Sequence, residues 1–265
     1  MDASALYKAG QVAEAIDAQI AAVKASPLDQ GKRLFLFELL VFAGDLDRAQ
    51  KHIEAVRYEQ PELDNAVAQY RQLLDSERAR RQALNGKVQP QFLAEPPEHA
   101  KLRILGLVKL NAGAADAGTC FTEANSQIGP IQGTLNGKAF ATLRDGDDRL
   151  GSILEVHAHG RYFWVPLEQV AALAMNAPRF PRDLVWIPAH LQLQGGEEGP
   201  VFLPALYPGS DQESDTQLKL GRLTDWRDQS PTRGVGAKIF YIDGVESCLL
   251  DWRRLEVSSA TNDKP

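Results

Sequence analysis

The sequence predicts an α+β protein, with helical hairpins in its front half and a mainly antiparallel β domain behind them. Three observations carry this. Glycine, alanine and proline recur at a fixed spacing in the first 130 residues. Apolar residues there follow a helical period. After Pro130 the pattern turns extended, with turn-forming dipeptides between apolar runs.

The repeat is the first element to justify. Ala9-Gly10 returns as Ala43-Gly44, Ala15 as Ala49 and Pro27 as Pro61, each 34 residues later. That is the period of tetratricopeptide (TPR) helix–turn–helix repeats, so the hairpins are read as TPR-like. Gly113 and Pro130 keep the same glycine-to-proline spacing of 17 residues. Glycine ends a first helix because it accepts the left-handed backbone that closes the turn. A small alanine lets the second helix pack closely, and proline follows because it cannot continue that helix.

Val12, Ala15, Ile16, Ile20 and Val23 form one apolar stripe, the mark of an amphipathic helix. The next helix is apolar almost all round. Leu36, Leu39, Leu40 and Ala43 share one face, against the partner helix. Leu34, Phe37 and Val41 share a second, which either packs under a neighbouring hairpin or forms a groove for a partner helix. A longer helix carries Leu63, Ala66, Val67, Tyr70, Leu73 and Leu74 and ends in the basic stretch Arg78 to Arg81. Cations suit a helix C-terminus. Residues 85–97 read as a connector, and helices over about 98–111 and 114–128 complete one more hairpin.

In the second half, Asn136-Gly137, His159-Gly160 and Asp243-Gly244 each sit between strand-like runs and predict tight hairpins. Ser152–Ala158, Arg161–Val165, Val201–Leu203, Lys238–Ile242 and Glu246–Leu255 are strand candidates. Leu167–Met175 alone reads as helical. The expected division is a helical repeat domain over 1–130, a β-rich domain over 131–257 and a disordered tail over 258–265.

Composition limits the function. Apolar residues make up 44% and charged residues 24%, the balance of a globular protein with a sizeable core. The net charge of −6 is spread thinly. Residues 1–130 hold 15 basic and 17 acidic side chains, and residues 131–265 hold 14 and 18. Neither half has the basic stripe that nucleic-acid binding needs. Met1-Asp2-Ala3-Ser4 opens no secretory signal, and the longest apolar run, Leu34 to Ala43, is interrupted by Glu38 and too short for a membrane span. Cys120 and Cys248 read as free thiols in a reducing compartment, which places the chain in the cytoplasm.

Few stretches of the chain carry a recognisable chemical motif. Asp145-Gly146-Asp147-Asp148 opens like a calcium loop, but Arg149 and Val156 stand where oxygen ligands belong. It reads instead as a hairpin loop with solvated carboxylates. His157 and His159 share a strand face, and two ligands do not make a zinc site. With Asp183, or with His190 as a third ligand, they define the competing reading, a metal-assisted hydrolase. Gly234-Val235-Gly236 lacks the third glycine of a dinucleotide fingerprint, since Ile239 stands there. No metal or cofactor is expected. Three short clusters combine Trp, Arg and Asp: Arg182 to Trp186, Arg222 to Trp226 and Asp251 to Arg254. Such clusters build either a buried network or a binding hot spot.

Six segments, in order, resemble the ImpE family, also called TagJ, an accessory component of bacterial type VI secretion. They are Asn136–Phe140, Asp145–Gly151, Gly160–Pro166, Arg182–Trp186, Val201–Ser210 and Leu220–Trp226. With the helical front half the resemblance spans about residues 1–257. One position departs: the family pattern has Gln-Arg after the Gly-x-Gly, and this chain has Ala237-Lys238. The resemblance implies a non-enzymatic cytoplasmic adaptor that binds the N-terminal helix of the contractile-sheath small subunit, TssB. It also implies a link to ClpV, the ATPase that recycles contracted sheath, and it supplies no catalytic residues. On the residues themselves, a partner helix would lie on exposed apolar side chains. The expected anchors are Leu34, Phe37 and Val41 in the repeat and Trp186 and Trp226 in the second domain.

Overall fold

The computed structural model describes residues 1–227 and 230–259. Five helices come first: α1 (Ala3–Lys8), α2 (Val12–Ala25), α3 (Gln30–Phe42), α4 (Leu46–Glu54) and α5 (Pro61–Leu84). Asp2, Asp29 and Asp45 cap α1, α3 and α4, each carboxylate accepting from a backbone N–H in the first turn. Gly10 and Gly44 end α1 and α3 at φ +83° and +74°, as the repeat requires. Pro61 has a different role from the expected one. It is the first residue of α5, where its missing N–H is no loss.

A short strand β1 (Gln91–Phe92) precedes α6 (Glu98–Asn111) and α7 (Ala117–Ser126). The expected connector therefore holds a strand, which pairs parallel with Phe163 and Trp164 at the sheet edge. Gly113, at φ +71°, turns the chain between α6 and α7.

Thereafter the chain is mostly extended. β2 (Gly133–Leu135), β3 (Lys138–Phe140), β4 (Leu143–Asp145), β5 (Ile153–Ala158) and β6 (Arg161–Pro166) lead to β7 (Val170–Met175), β8 (Trp186–Leu193) and β9 (Glu198–Pro204). A short helix, α8 (Thr216–Lys219), precedes β10 (Thr224–Arg227) and β11 (Arg233–Gly236). β12 (Ile239–Ile242), β13 (Val245–Cys248) and β14 (Arg254–Val257) complete the order. The main sheet runs β1-β6-β5-β9-β8-β7-β14-β2-β3, antiparallel except at β1. Two small sheets, β13-β12-β4 and β10-β11, stand beside it. Asn136, His159 and Asp243 take positive φ ahead of Gly137, Gly160 and Gly244, so all three expected hairpin turns form.

Three expectations need correction. Leu167–Met175 is not a helix: a single 3-10 turn at Leu167–Gln169 leads into β7. Its Ala, Leu and Met residues favour a helix in isolation. Pairing to β8 on one side and β14 on the other outweighs that preference. Glu246–Leu255 is not one strand: a turn at Leu249–Asp251 divides it between two sheets, around the buried Trp252. The carboxylates of Asp145 and Asp147 are wholly buried, not solvated. In the expected disordered tail, Ser258 donates its N–H to Gln132 O and Ser259 its hydroxyl to Gln194 Oε1. The rest of the tail, 260–265, lies outside the described residues.

β5 shows how the parts meet. All six of its residues are buried, because both faces of the strand are covered. Leu154, Val156 and Ala158 join the core of the sheet. On the other face, Glu155 and His157 meet α5. A second core fills the helical layer and takes in Val185, Trp186 and Leu220 from beyond it. No helix among the described residues is long and apolar enough to cross a membrane.

Candidate functional site

The seam between α5 and β5 holds the densest polar chemistry in the described chain. Ser76 and Glu77 are buried on α5, and Arg80 follows them four and three residues on, one turn along the same side. Glu155 and His157 alternate on the facing side of β5. Arg80 grips Glu155 with two bonds, Nε to Oε1 at 2.8 Å and Nη2 to Oε2 at 3.2 Å. Lys238 reaches the same carboxylate at 2.6 Å and Asp145 at 3.0 Å. Tyr162 donates its hydroxyl to Glu155 and itself accepts from the Trp164 indole N–H. Ser76 Oγ lies 2.5 Å from His157 Nδ1, and His157 Nε2 is 3.5 Å from Glu77. Farther along, Tyr207 donates to Asp145, and Arg149 pairs with Asp147 at 2.6 Å.

These contacts set the ionisation of the site. Burial pushes the Glu155 carboxyl up, but Arg80 and Lys238 outweigh it and hold the group well below the usual carboxylate range. Glu77 also resists burial: Arg80, His157 and Arg81 bring it down to about 2. Burial acts against Arg80 and Lys238 as well, and their carboxylate partners raise both above their ordinary values. At Asp145 burial prevails, and its pKa rises despite Lys238. Four carboxylates (Glu77, Asp145, Asp147, Glu155) thus face three cations (Arg80, Arg149, Lys238), each held by a partner. Such a network fixes how the helices sit on the sheet. Within it, His157 Nε2 is buried without a hydrogen-bond partner among the described residues, 3.5 Å from Glu77.

Beside this seam a cleft of about 270 Å³ opens between the helical layer and the segment 206–212. Val41, Leu46, Trp186 and Leu206 give it apolar walls, and Arg81 and Asp211, paired at 3.2 Å, cross it. Its volume is under the roughly 300–1,000 Å³ of small-molecule pockets, and a helix about 10 Å across does not fit inside. At most it takes single side chains.

The expected site residues divide. Phe37 and Trp186 stack on each other, ring centroids 6.5 Å apart, and are 0% and 1% exposed. Val41 is buried in the same core. Those three side chains pack into the core between the helices and the sheet, and only at the small cleft do Val41 and Trp186 border open space. Leu34 is half-buried at the rim of that core. Trp226 is half-buried between Tyr207 and Tyr241, over Gly146, where a Cβ would meet its ring at 2.2 Å. The repeat-side and sheet-side anchors are therefore not one continuous exposed face.

The hydrolase residues are dispersed. His157 is bonded to Ser76 in the seam, while His159 sits in the exposed β5–β6 turn and not on the strand. Asp183 is used as a local cap, accepting from the N–H groups of Arg179 and Phe180. His190 lies near Glu198 on the surface. Among the described residues no three His, Cys, Asp or Glu side chains are grouped to hold a metal ion.

Sequence reasoning missed Arg80, Glu155, Tyr207 and Lys238. A signal existed: charged residues inside runs otherwise apolar, such as Ile153–Ala158, mark either a surface strand or a buried pair. The basic stretch Arg78–Arg81 also does more than favour a helix end. Arg78 ties α5 to Asp47 and Leu46 O of α4, and Arg81 ties it to Asp211.

Comparison with known proteins adds a context that the geometry alone does not supply. Residues 137–256 match the family described as ImpE protein. The type VI secretion system accessory component TagJ of Pseudomonas aeruginosa is 34% identical over 261 residues. The match covers 97% of this chain and 91% of that protein. The crystal structure of protein VPA1032 from Vibrio parahaemolyticus superposes with a TM-score of 0.87 at 26% identity, covering 97% of both chains.

Proposed function

The chain belongs to the ImpE family, and on that premise we propose that it is an accessory protein of type VI secretion that works by binding other proteins. The observation that carries this reading is the extent of the match to the Pseudomonas accessory component. It runs through the helical layer, the seam and the sheet alike. A shared motif on a reused fold would say less.

The finer proposal is that the chain acts in the cytoplasm, takes up the N-terminal helix of the sheath small subunit TssB and connects it to the ClpV ATPase. A bound helix has to lie on the surface, since the cleft is too small to enclose one. Of the five anchors, Leu34 and Trp226 keep exposed area for such a contact. Phe37, Val41 and Trp186 would act indirectly, by holding the surface in shape.

The test is titration of the full chain with a synthetic peptide of the sheath subunit's first helix. Saturable binding that Leu34→Ala or Trp226→Ala weakens about tenfold supports the proposal. No binding overturns the partner, and binding indifferent to both substitutions overturns the surface. Pull-down of ClpV with and without the peptide tests the link separately.

A further inference from the structure

Away from the seam, a larger cavity of about 540 Å³ lies where the first turn of α6 approaches the 3-10 turn Leu167–Gln169. Pro97, Ile128, Ile131 and Val257 give it apolar walls, and His99 and Glu168 stand among them. That size and mixture, mainly apolar with a few placed polar groups, suit a ligand site. His99 is only 4% exposed, and its Nε2 lies 2.6 Å from Glu168 Oε1. Gln169 donates to Glu95 O, which ties the two supporting segments together.

The pair is incompletely satisfied. Glu168 Oε2 and His99 Nδ1 are both buried atoms with no hydrogen-bond partner among the described residues. Joining α6 to the sheet needs the Nε2–Oε1 contact alone, so that task leaves both atoms unexplained. Of the neighbouring cations, Lys101 pairs with Glu98, while Arg103, in electrostatic reach of Glu168, spends its two Nη groups on Asp148 O and Asn125 Oδ1. An ionised carboxylate only accepts hydrogen bonds. When the Nε2–H of a neutral imidazole donates to Glu168, Nδ1 is also an acceptor. In that tautomer both free atoms are acceptors, on two residues that line the cavity beside the Glu98 carboxylate.

We propose that this cavity binds a group ending in guanidinium or ammonium, such as an arginine or lysine side chain of a partner protein. Both head groups are donors without acceptors and complement the two free atoms. The apolar walls match the aliphatic stem behind such a head.

The experiment follows the imidazole signals of the full chain by NMR. The sequence has five histidines, and His99→Gln identifies the one that matters. Ethylguanidinium and ethylammonium are titrated in parallel, against sodium acetate and sodium chloride at matched ionic strength. The expected result is a saturable shift of the His99 signal with one or both organic cations, weakened about tenfold by Glu168→Gln. The amide signals of Gly129 and Ile131 give a second reading, which survives the loss of the His99 signal. A response that does not saturate, one that sodium chloride reproduces, saturation by acetate, or indifference to Glu168→Gln would each overturn the proposal.

Discussion

The indole of Trp186 stacks on the ring of Phe37, 29° from parallel, and so joins the start of β8 to the middle of α3. Neither side chain retains appreciable exposure. Tyr70 of α5 packs on Phe37 as well, and Phe202 of β9 on Tyr70, which extends one aromatic row from the helices to the sheet. Residues that read in the sequence as two docking anchors are anchors for each other.

Trp186→Ala therefore acts on stability. Removing a buried indole from this row costs about 3–5 kcal/mol. Chemical denaturation checks the loss. Binding of the sheath-subunit peptide, expressed per folded molecule, stays at the wild-type value. Specific loss of binding in a folded variant would return Trp186 to the interface.

The Arg80–Glu155 pair yields a different kind of loss. Glu155→Gln leaves Arg80 and Lys238 buried with one carboxylate fewer, which costs about 3–5 kcal/mol. It also changes the response to acid. Glu77 and Glu155 have depressed folded-state pKa values, so their stabilisation is present above the ordinary value of 4.5. It is lost as pH falls from there through the folded value, about 2 for Glu77. Below pH 4.5 the wild type should lose stability more steeply than Glu155→Gln, as measured by denaturation midpoints across an acid series.

Much of the architecture was legible in the sequence because it rests on local chemistry. Gly10, Gly44 and Gly113 are left-handed where the repeat places them, and the hairpin dipeptides at 136–137, 159–160 and 243–244 all turn as expected. The errors fall where long-range contacts decide. β7 is a strand because β8 and β14 flank it, and Asp145 is buried because Lys238, 93 residues away, meets it. The candidate site was least legible for the same reason. Apolar character marked Phe37, Val41 and Trp186 as important, but periodicity cannot tell a face covered by the chain's own sheet from one left for a partner.

The repeat glycines provide a paired comparison. Gly113→Ala places a Cβ in open space, so its cost is only that of a left-handed alanine, about 1 kcal/mol. Gly44→Ala adds a collision, since the new Cβ falls 2.0 Å from Asp211 Oδ2. Asp211 also holds Arg81, so relief of the clash disturbs the tie between α5 and the 206–212 segment. Gly44→Ala should be clearly the more destabilising in parallel urea titrations. Equal effects would mean that Asp211 swings away without consequence.

Glu38 carries the last expectation, with the opposite sign from Glu155. It lies in α3 against Arg182, with Asp183 nearby and Tyr7 and Tyr70 within its electrostatic reach. Burial raises its pKa to about 7, against the opposing pull of the Arg182 guanidinium. A raised folded-state pKa means that the folded chain binds the proton more readily than the unfolded chain does. The resulting stabilisation is fully present below the ordinary value of 4.5 and is lost as pH rises through about 7. Glu38→Gln keeps the shape and removes the titration. The melting temperature of the wild type, minus that of Glu38→Gln, should therefore fall between pH 4.5 and 7 and level off above. A difference that stays flat or climbs over that range would show that Arg182 keeps Glu38 ionised throughout, and that the α3 contact with the Pro181–Leu184 turn is a permanent ion pair.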